Sequence, residues 1–190
     1  MSEQKQYKIS DVIPIVKRWN GWLIFPCERF EFVGSYRRER DFIHDLDVIV
    51  IPKLTIEHHP DYQDDLFGGS THEVFVSEFD KQLGSLEDAG RIKGISSGDS
   101  LKRIIDLDSG IQIDFYIANE DTWPVLKLIR TGSKEHNIML AKRAKNMGMK
   151  LKANGDGLVD SNGVKLSVII EEDIFKHLGL EYVKPENREI

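Results

Sequence analysis

The feature that most constrains this chain is an apolar run, residues 46–51, that contains one aspartate and directly follows another. The run ends at a proline and has the length and composition of a β-strand. Because successive side chains of a strand point to opposite faces, Asp45 and Asp47 share one face and Leu46 lies on the other. The pattern therefore predicts two carboxylates side by side on one face of a strand.

A second predicted strand, residues 111–117, adds a third carboxylate. Its isoleucines point one way, so Gln112 and Asp114 lie on the opposite face. If the two strands are neighbours, Asp114 completes a cluster with Asp45 and Asp47. Three carboxylates favour hard divalent cations such as Mg²⁺ or Mn²⁺, and two such ions about 3.5 to 4 Å apart support phosphoryl transfer. The alternative is an ordinary solvated strand face.

Periodicity and turn signals divide the rest of the chain into a sheet with helices and a later, helix-rich segment. The predicted helices span residues 10–20, 74–83, 121–130, 133–148 and 171–178. Strands are predicted at 28–33 and 100–107, a surface loop at 55–72, and a hairpin turn at 160–163. Three histidines and Asp61 lack the helical spacing of metal ligands and are interpreted as loop residues. These histidines are His58, His59 and His72.

The composition predicts a folded chain in a reducing compartment. Its 190 residues are 40% hydrophobic, which supplies a packed core and fits one domain or two small ones. The single cysteine, Cys27, cannot form an intramolecular disulfide. No stretch has the roughly 18 apolar residues of a membrane span. The polar opening lacks the apolar core of a signal peptide, so we expect a cytoplasmic location, in the cytosol or nucleoid, and no membrane partner.

Charge is distributed unevenly along the chain. The 26 Lys and Arg against 32 Asp and Glu give a net charge of −6, which argues against coating nucleic acid by bulk charge. Residues 121–152, however, hold eight basic and two acidic side chains. This segment predicts a local cationic surface that fits nucleic acid. The alternative is an ordinary solvated helix face.

A glycine, a serine and two arginines precede the Asp-x-Asp pair. Gly34 and Ser35 follow the predicted strand 28–33. At such a position a glycine lets backbone N–H groups approach phosphate oxygens, and a serine hydroxyl adds a hydrogen bond. Arg37 and Arg38 follow, and guanidinium groups suit a triphosphate. Each pair alone is typical of a turn or a solvated charge, but combined with the two aspartates they indicate a nucleotide site.

These motifs together resemble family X DNA polymerases of the DNA polymerase beta superfamily. The resemblance covers nearly the whole chain and rests on Gly34-Ser35-Tyr36-Arg37-Arg38, His44-Asp45-Leu46-Asp47, Ile111-Gln112-Ile113-Asp114, Arg130-Thr131-Gly132-Ser133 and residues 178–185. It implies an α+β fold, with a nucleotidyltransferase palm of mixed β-sheet and helices at 1–118 and a small α/β thumb subdomain at 119–190. The chain is similar to the short palm-plus-thumb form known from viruses, without lyase and helix-hairpin-helix domains.

By matching positions, the resemblance implies two bound divalent ions, Mg²⁺ or Mn²⁺. Asp45 and Asp47 would bind both ions, and Asp114 the catalytic ion beside the primer 3′ hydroxyl. The residues implied to bind the nucleotide are Gly34, Ser35, Arg38, His44, Gly132 and Asn137. The residues expected to bind DNA are Arg130, Lys134, Lys142, Arg143 and Lys145.

Four positions depart from the family pattern. His44 replaces a glycine that faces phosphate, and Gln112 replaces an arginine, which predicts less charge compensation around the third carboxylate. Ile129 and Arg130 replace a Tyr-Phe pair, and Ala141 replaces a template-contacting arginine. We therefore predict low discrimination between ribose and deoxyribose, and low fidelity.

The expected activity is addition of dNMP from dNTP to a DNA 3′ hydroxyl by a two-metal mechanism, filling short gaps in DNA repair or replication. The expected partners are dNTP and gapped or primer-template DNA, and the sequence identifies no repair partner. Two alternatives stay open. One is a template-independent nucleotidyltransferase that acts on RNA ends or another acceptor. The other is a catalytically degenerate module that binds gapped DNA. The presence of all three carboxylates argues against this alternative.

Overall fold

Strands dominate the described residues up to Ile117, and helices dominate the described residues after it. The structure is a computed structural model that describes residues 5–58 and 73–189. The strands are β1 (Tyr7–Lys8), β2 (Cys27–Phe32), β3 (Phe42–Ile43), β4 (Asp45–Pro52), β5 (Leu54–His58), β6 (Glu73–Ser77), β7 (Ile92–Ser97), β8 (Leu101–Asp106), β9 (Gln112–Ile117), β10 (Lys150–Lys152) and β11 (Gly157–Val159). The helices are α1 (Ile9–Leu23), α2 (Gly34–Arg37), α3 (Glu78–Asp88), α4 (Trp123–Thr131), α5 (Lys134–Asn146) and α6 (Glu171–His177), with a 3₁₀ turn at Pro185–Asn187.

The central element is a five-stranded mixed sheet with the order β2-β4-β9-β8-β7. β4 and β9 run parallel, and the other neighbouring pairs are antiparallel. The short hairpin that joins β8 to β9 contains the glycine turn predicted from the sequence. The predicted combination of a mixed sheet and helices is confirmed.

Strand β4 separates two layers of apolar side chains. Val50 belongs to a core shared with α1 and α3, whereas Ile49 belongs to a cluster that includes α4. Because side chains alternate along a strand, Asp45 and Asp47 lie on the same face as Ile49. The two carboxylates therefore face the side of the sheet on which α4 packs.

The first core packs α1 and α3 against the other face of the sheet. Helix α1 buries Val12, Val16 and Trp19 at the three- and four-residue spacing of an amphipathic helix. Phe115 of β9 contacts the rings of Trp19 and Phe79, with centroid distances of 5.4 and 5.1 Å. All three aromatic side chains are buried, and they form the centre of this core.

A second core is built by α4, α5 and α6 with the hairpin of β10 and β11. Its buried members are Val125, Leu128, Leu140, Ala144, Leu151, Leu158, Ile174, Phe175 and Leu178. Helix α4 belongs to both layers, since Leu126 packs with the sheet and Leu128 packs in the second core. Helix α4 therefore connects the helix-rich segment to the carboxylate face of the sheet.

The predicted helix at 74–83 is wrong in its first half. Glu73–Ser77 forms β6, which pairs with β5, and α3 begins only at Glu78. This strand is only five residues long, with three consecutive apolar residues, and most of its pairing partner lies in the segment predicted as a loop. The remainder of that loop, residues 59–72, with His59, Asp61 and His72, lies outside the described residues.

Two further differences concern short or exposed elements. The edge strand β7 is not predicted, because apart from Ile92 its side chains are exposed and its composition is that of a loop. The turn predicted at 160–163 is present after β11, where backbone N–H groups of Asp160 and Leu166 donate to the carbonyls of Val164 and Leu158 at 2.9 and 2.8 Å. The hairpin of β10 and β11, which precedes this turn, is not predicted.

We expect Phe115→Ala to lower the free energy of unfolding by about 3 to 5 kcal/mol, because the fully buried ring would leave a cavity beside two other aromatic rings. Urea denaturation followed by circular dichroism measures this change. Phe25→Ala is the matched control, since Phe25 is 78% exposed, and we expect a change within about 0.5 kcal/mol. Equal losses in the two variants would contradict the central position of Phe115.

Candidate active site

Three carboxylates lie at neighbouring register positions of the parallel strands β4 and β9. Asp47 lies opposite Asp114, and Asp45 lies opposite Gln112. Asp114 is buried, whereas Asp45 and Asp47 are half-buried. The structure thus brings together the three aspartates that the sequence analysis placed on one face.

Burial and mutual repulsion oppose ionisation of this cluster. Burial, and then the charge of Asp45, raises the pKa of the Asp47 carboxyl to about 7. Burial, and then the charge of Asp114, also raises the pKa of Asp45. The donor set consists of oxygen alone and carries excess negative charge, which fits a hard divalent cation such as Mg²⁺ or Mn²⁺.

A glycine is required where α2 approaches Asp47. Gly34 has a φ of 61°, and a Cβ atom at this position would lie 2.0 Å from Oδ2 of Asp47. The backbone before it is held by a 2.8 Å hydrogen bond from the N–H of Val33 to the carbonyl of Asp47. Because only glycine fits here, the Gly34-Ser35 turn comes directly against the carboxylates.

Asp114 is paired with an arginine that the sequence analysis did not identify. Arg103 of β8 lies opposite Asp114 in the antiparallel register, and its Nε donates to Oδ1 at 2.7 Å while Nη2 donates to Oδ2. Gln112 donates a further hydrogen bond to Oδ1 at 3.0 Å. The lower charge compensation predicted around Asp114 is therefore wrong, because the neighbouring strand supplies the guanidinium.

Arg130 lies beside the carboxylates. Its guanidinium is 4.1 Å from the centroid of the Tyr116 ring, and the Tyr116 hydroxyl donates to Oδ1 of Asp47 at 3.2 Å. The charge of Arg130 lowers the pKa of Asp47, against the stronger effect of burial. Arg130, predicted to contact DNA, thus lies on the aromatic residue that holds Asp47.

A cleft of about 970 Å³ opens between the sheet and the helix-rich segment. Most of the predicted site residues line it: Gly34, Ser35, Arg38, His44, Asp45, Asp47, Arg130, Gly132, Lys134 and Asn137. The predicted residues that do not line it are Asp114, Lys142, Arg143 and Lys145. Two carboxylates from near the end of the described chain, Glu186 and Glu189, also line the cleft.

Arg38, predicted to bind a triphosphate, contacts the helix-rich segment. Its Nη1 donates to the carbonyl of Thr131, and its Nε donates to Oε1 of Glu189 at 2.6 Å. Gly132 allows this approach, since a Cβ atom there would lie 3.1 Å from Nη1 of Arg38. Glu189 also lies 3.7 Å from the Nε atom of Arg40.

A buried ion-pair network joins α2 to α6. Arg37 donates to both oxygens of Glu171 at 3.1 and 2.8 Å, and to Oγ1 of Thr131 at 2.7 Å. The fully buried Arg188 donates to Oε1 of Glu171 at 2.7 Å. The sequence analysis missed Glu171 and Arg188, because Glu171 opens an acidic run that is typical of a helix N-terminus.

The start of α5 is fixed by Ser133, as predicted. Its Oγ accepts a hydrogen bond from the N–H of His136 at 3.3 Å and donates to the carbonyl of Arg188 at 2.6 Å. Asn137 lines the cleft and donates from Nδ2 to the carbonyl of Ile129 at 2.7 Å. Its buried Oδ1 has no hydrogen-bond partner among the residues that the structure describes.

The basic residues of α5 are exposed along the helix. Lys134 is exposed at the cleft, and Lys142 and Lys145 are exposed further along. Arg143 donates from Nε to the carbonyl of Leu178 at 2.9 Å, so part of its role is to hold the end of α6. The structure therefore separates Arg130 and Lys134, at the cleft, from the three later basic residues.

Residues 5–58 and 73–189 contain neither a preformed metal-ligand group nor a membrane-spanning helix. No three acidic, histidine or cysteine side chains there are arranged to hold a metal ion, and both oxygens of Asp114 face Arg103 instead. Nor does this part of the chain contain a helix with the length and apolar character needed to cross a bilayer.

Comparison with known proteins adds independent information. The DNA polymerase beta thumb family matches residues 127–189. The DNA polymerase/3′-5′ exonuclease PolX of Bacillus subtilis (strain 168) is 28% identical over 162 residues, which cover 85% of this chain and 24% of that protein. A crystal structure of Leishmania infantum polymerase beta, a ternary P/T complex, matches with a TM-score of 0.75 and 18% identity over 98% of this chain and 77% of that one. These similarities support the resemblance to family X DNA polymerases.

The similarity to these proteins extends over both parts of the cleft. The thumb match includes Arg130, Gly132 and Asn137, while the Bacillus protein is similar over most of the chain, although the chain spans only about a quarter of its length. The Leishmania structure shows the shared fold.

We expect Asp47→Asn to change the pH dependence of stability. A raised native pKa stabilises the fold below the unfolded value of 3.8, and this contribution is lost as the pH rises through about 7. The stability of Asp47→Asn relative to the parent protein should therefore increase between pH 4 and pH 8, by up to about 4 kcal/mol. Urea denaturation in EDTA at several pH values measures it. Parallel pH profiles would contradict the shifted pKa.

Proposed function

We propose that this protein is a DNA-directed nucleotidyltransferase that adds dNMP from dNTP to a DNA 3′ hydroxyl and fills short gaps in DNA repair or replication. The observation that carries the proposal is the close approach of the Gly34-Ser35 turn and Arg38 to the strand carboxylates in one cleft. We place this activity in the cytosol or nucleoid.

The proposed palm, residues 1–118, holds the reacting groups. Asp45, Asp47 and Asp114 are the residues that would hold two Mg²⁺ or Mn²⁺ ions. When bound, such ions activate the 3′ hydroxyl, position the triphosphate and neutralise developing charge. In the reaction, the 3′ hydroxyl loses its proton to solvent and its oxygen forms a bond to the α-phosphorus. The bond between the α-phosphorus and the bridging oxygen breaks, and pyrophosphate leaves.

Ser35 and Arg38 are assigned to the leaving phosphates. The Ser35 side chain lies next to Gly34, where the backbone turns against Asp47, and its hydroxyl can donate to a phosphate oxygen. The Arg38 guanidinium offers several N–H donors to phosphate oxygens and offsets their charge. His44 lines the same cleft and is exposed, so we assign it to the path of the triphosphate.

The proposed thumb, residues 119–190, contacts the nascent pair and DNA. Gly132 and Asn137 line the cleft beside Arg38, which supports contact with the incoming nucleotide. Arg130 and Lys134 are assigned to DNA near the cleft, and Lys142, Arg143 and Lys145 to phosphates further along the duplex.

The proposal predicts nucleotide incorporation on DNA with a one-nucleotide gap in the presence of Mg²⁺ or Mn²⁺. Asp114→Asn should lower kcat/KM by a factor on the order of 10² to 10³, because it removes a charged oxygen from the reacting centre. The matched control is Asp99→Asn, since Asp99 is exposed in the turn before β8. The same incorporation assay is performed in parallel on open primer-template and single-stranded substrates with DNA or RNA 3′ ends.

The pattern of products distinguishes the functions. Templated extension that is lost in Asp114→Asn and kept in Asp99→Asn would support a DNA polymerase. Untemplated extension with the same dependence would instead support the template-independent transferase. DNA binding without extension on any substrate would contradict the proposal and support a degenerate binding module.

The contact between Arg38 and Glu189 gives a second prediction. A triphosphate on Arg38 must replace a carboxylate that is 2.6 Å away. We therefore expect Glu189→Gln to bind dTTP with Ca²⁺ about two- to fivefold more tightly, because the competing charge is removed from a partly exposed pair. Titration calorimetry measures this affinity.

Glu186→Gln is the matched control for this prediction. Glu186 lines the same cleft without a hydrogen bond to Arg38 among the described contacts, so a smaller change is expected. Weaker dTTP binding by Glu189→Gln would show that Glu189 orients Arg38 and does not compete with the nucleotide.

A further inference from the structure

Arg103 holds the third carboxylate from the neighbouring strand. The two residues are directly paired in the antiparallel register of β8 and β9, so their side chains project on the same face of the sheet. The Asp114 side chain is 4% exposed and the Arg103 side chain is 37% exposed. The contact is a two-point contact, with one N–H donor on each carboxylate oxygen.

The remaining contacts of Asp114 complete this arrangement. Gln112 adds a third N–H donor to Oδ1. Each carboxylate oxygen therefore already accepts at least one hydrogen bond. Arg103 also lies within the field of Asp45, since both Asp114 and Asp45 raise its pKa. The guanidinium thus places a positive charge close to two of the three carboxylates, Asp114 and Asp45.

We propose that Arg103 is a positioning residue that takes the place of a divalent cation at Asp114 and releases at least one carboxylate oxygen when that cation binds. This inference rests on the proposed function, because it assigns Asp114 to a metal ion. It also explains why Asp114 faces Arg103 and no three ligands are arranged for a metal within residues 5–58 and 73–189.

The electrostatics favour such an exchange. Without a counter-charge, a buried Asp114 beside two other carboxylates would be destabilised. A dication bound to the same oxygens would repel the guanidinium. The Arg103 side chain can move away, because it is partly exposed and hydrogen-bonds to no side chain other than Asp114 among the described residues. The two positive groups therefore compete for one carboxylate.

This competition has a functional consequence. Arg103 lowers the affinity of the empty site for a divalent cation, while its guanidinium is the hydrogen-bonded counter-charge of Asp114. Added negative charge from a triphosphate would shift the balance towards the cation. The site is then completed mainly when substrate is present.

The test is Mn²⁺ binding, measured by electron paramagnetic resonance at pH 8 without DNA or nucleotide. Arg103→Ala should bind Mn²⁺ at least about tenfold more tightly than the parent protein, because a like charge next to the ion is removed. Arg103→Lys should lie between the two, since an ammonium keeps the charge but loses the planar two-point contact. Lys102→Ala is the matched control, because Lys102 neighbours Arg103 on β8 but pairs with Asp80.

Thermal unfolding gives a second readout. In EDTA, Arg103→Ala should melt at a lower temperature than the parent protein, and saturating Mn²⁺ should raise its melting temperature by more than that of the parent. Asp114→Asn should abolish the difference in Mn²⁺ affinity between Arg103→Ala and the parent background. If Arg103→Ala does not fold, the comparison of Arg103→Lys with Lys102→Ala decides.

Equal or weaker Mn²⁺ binding by folded Arg103→Ala or Arg103→Lys would overturn the inference and make Arg103 a permanent partner that orients Asp114. Mn²⁺ binding that is lost in Asp47→Asn but unchanged in the Arg103 variants would overturn the inference alone. If Mn²⁺ binding does not depend on Asp47 in any background, the proposed function is overturned as well.

Discussion

Three carboxylates at the start of two parallel strands repel one another, and the rest of the structure depends on how this repulsion is balanced. Arg103 from β8 pairs with Asp114, and the Tyr116 hydroxyl donates to Asp47. Arg130 then lies on the Tyr116 ring. Each of these groups comes from a different element, so the sheet and α4 must be assembled before the cluster is balanced. The residual excess of negative charge is what suits the site to cations.

The same cleft is connected to the helix-rich segment by a chain of arginines. Adjacent residues of one turn make different contacts: Arg37 pairs with the buried Glu171, and Arg38 pairs with Glu189 at the cleft. Arg37 therefore holds the two parts of the chain together, while Arg38 can exchange Glu189 for a ligand. This division explains why two consecutive arginines follow the Gly-Ser turn. It also couples any ligand on Arg38 to the position of the segment near Glu189.

The sequence predicted those structural features that depend on residues close together along the chain. Strand alternation placed Asp45, Asp47 and Asp114 on one face, and the capping preference of serine located the start of α5 at Ser133. The pairing of β5 with β6 was missed because residues 55–72 were predicted as a loop and residues 74–83 as a helix. Arg103 was missed for a similar reason: its role depends on the register of β8 against β9, which the sequence does not specify. The contact of Arg37 with Glu171 spans 134 positions and left no local signal.

The most direct test of this account is to locate Mn²⁺ by anomalous X-ray scattering in crystals of the protein with gapped DNA and a non-hydrolysable dNTP. The account predicts two anomalous peaks, about 3.5 to 4 Å apart, in contact with Asp45, Asp47 and Asp114. It also predicts that at least one Asp114 oxygen no longer contacts Arg103. Manganese bound elsewhere, or a nucleotide bound away from Arg38 with the Arg103 contact intact, would contradict the account.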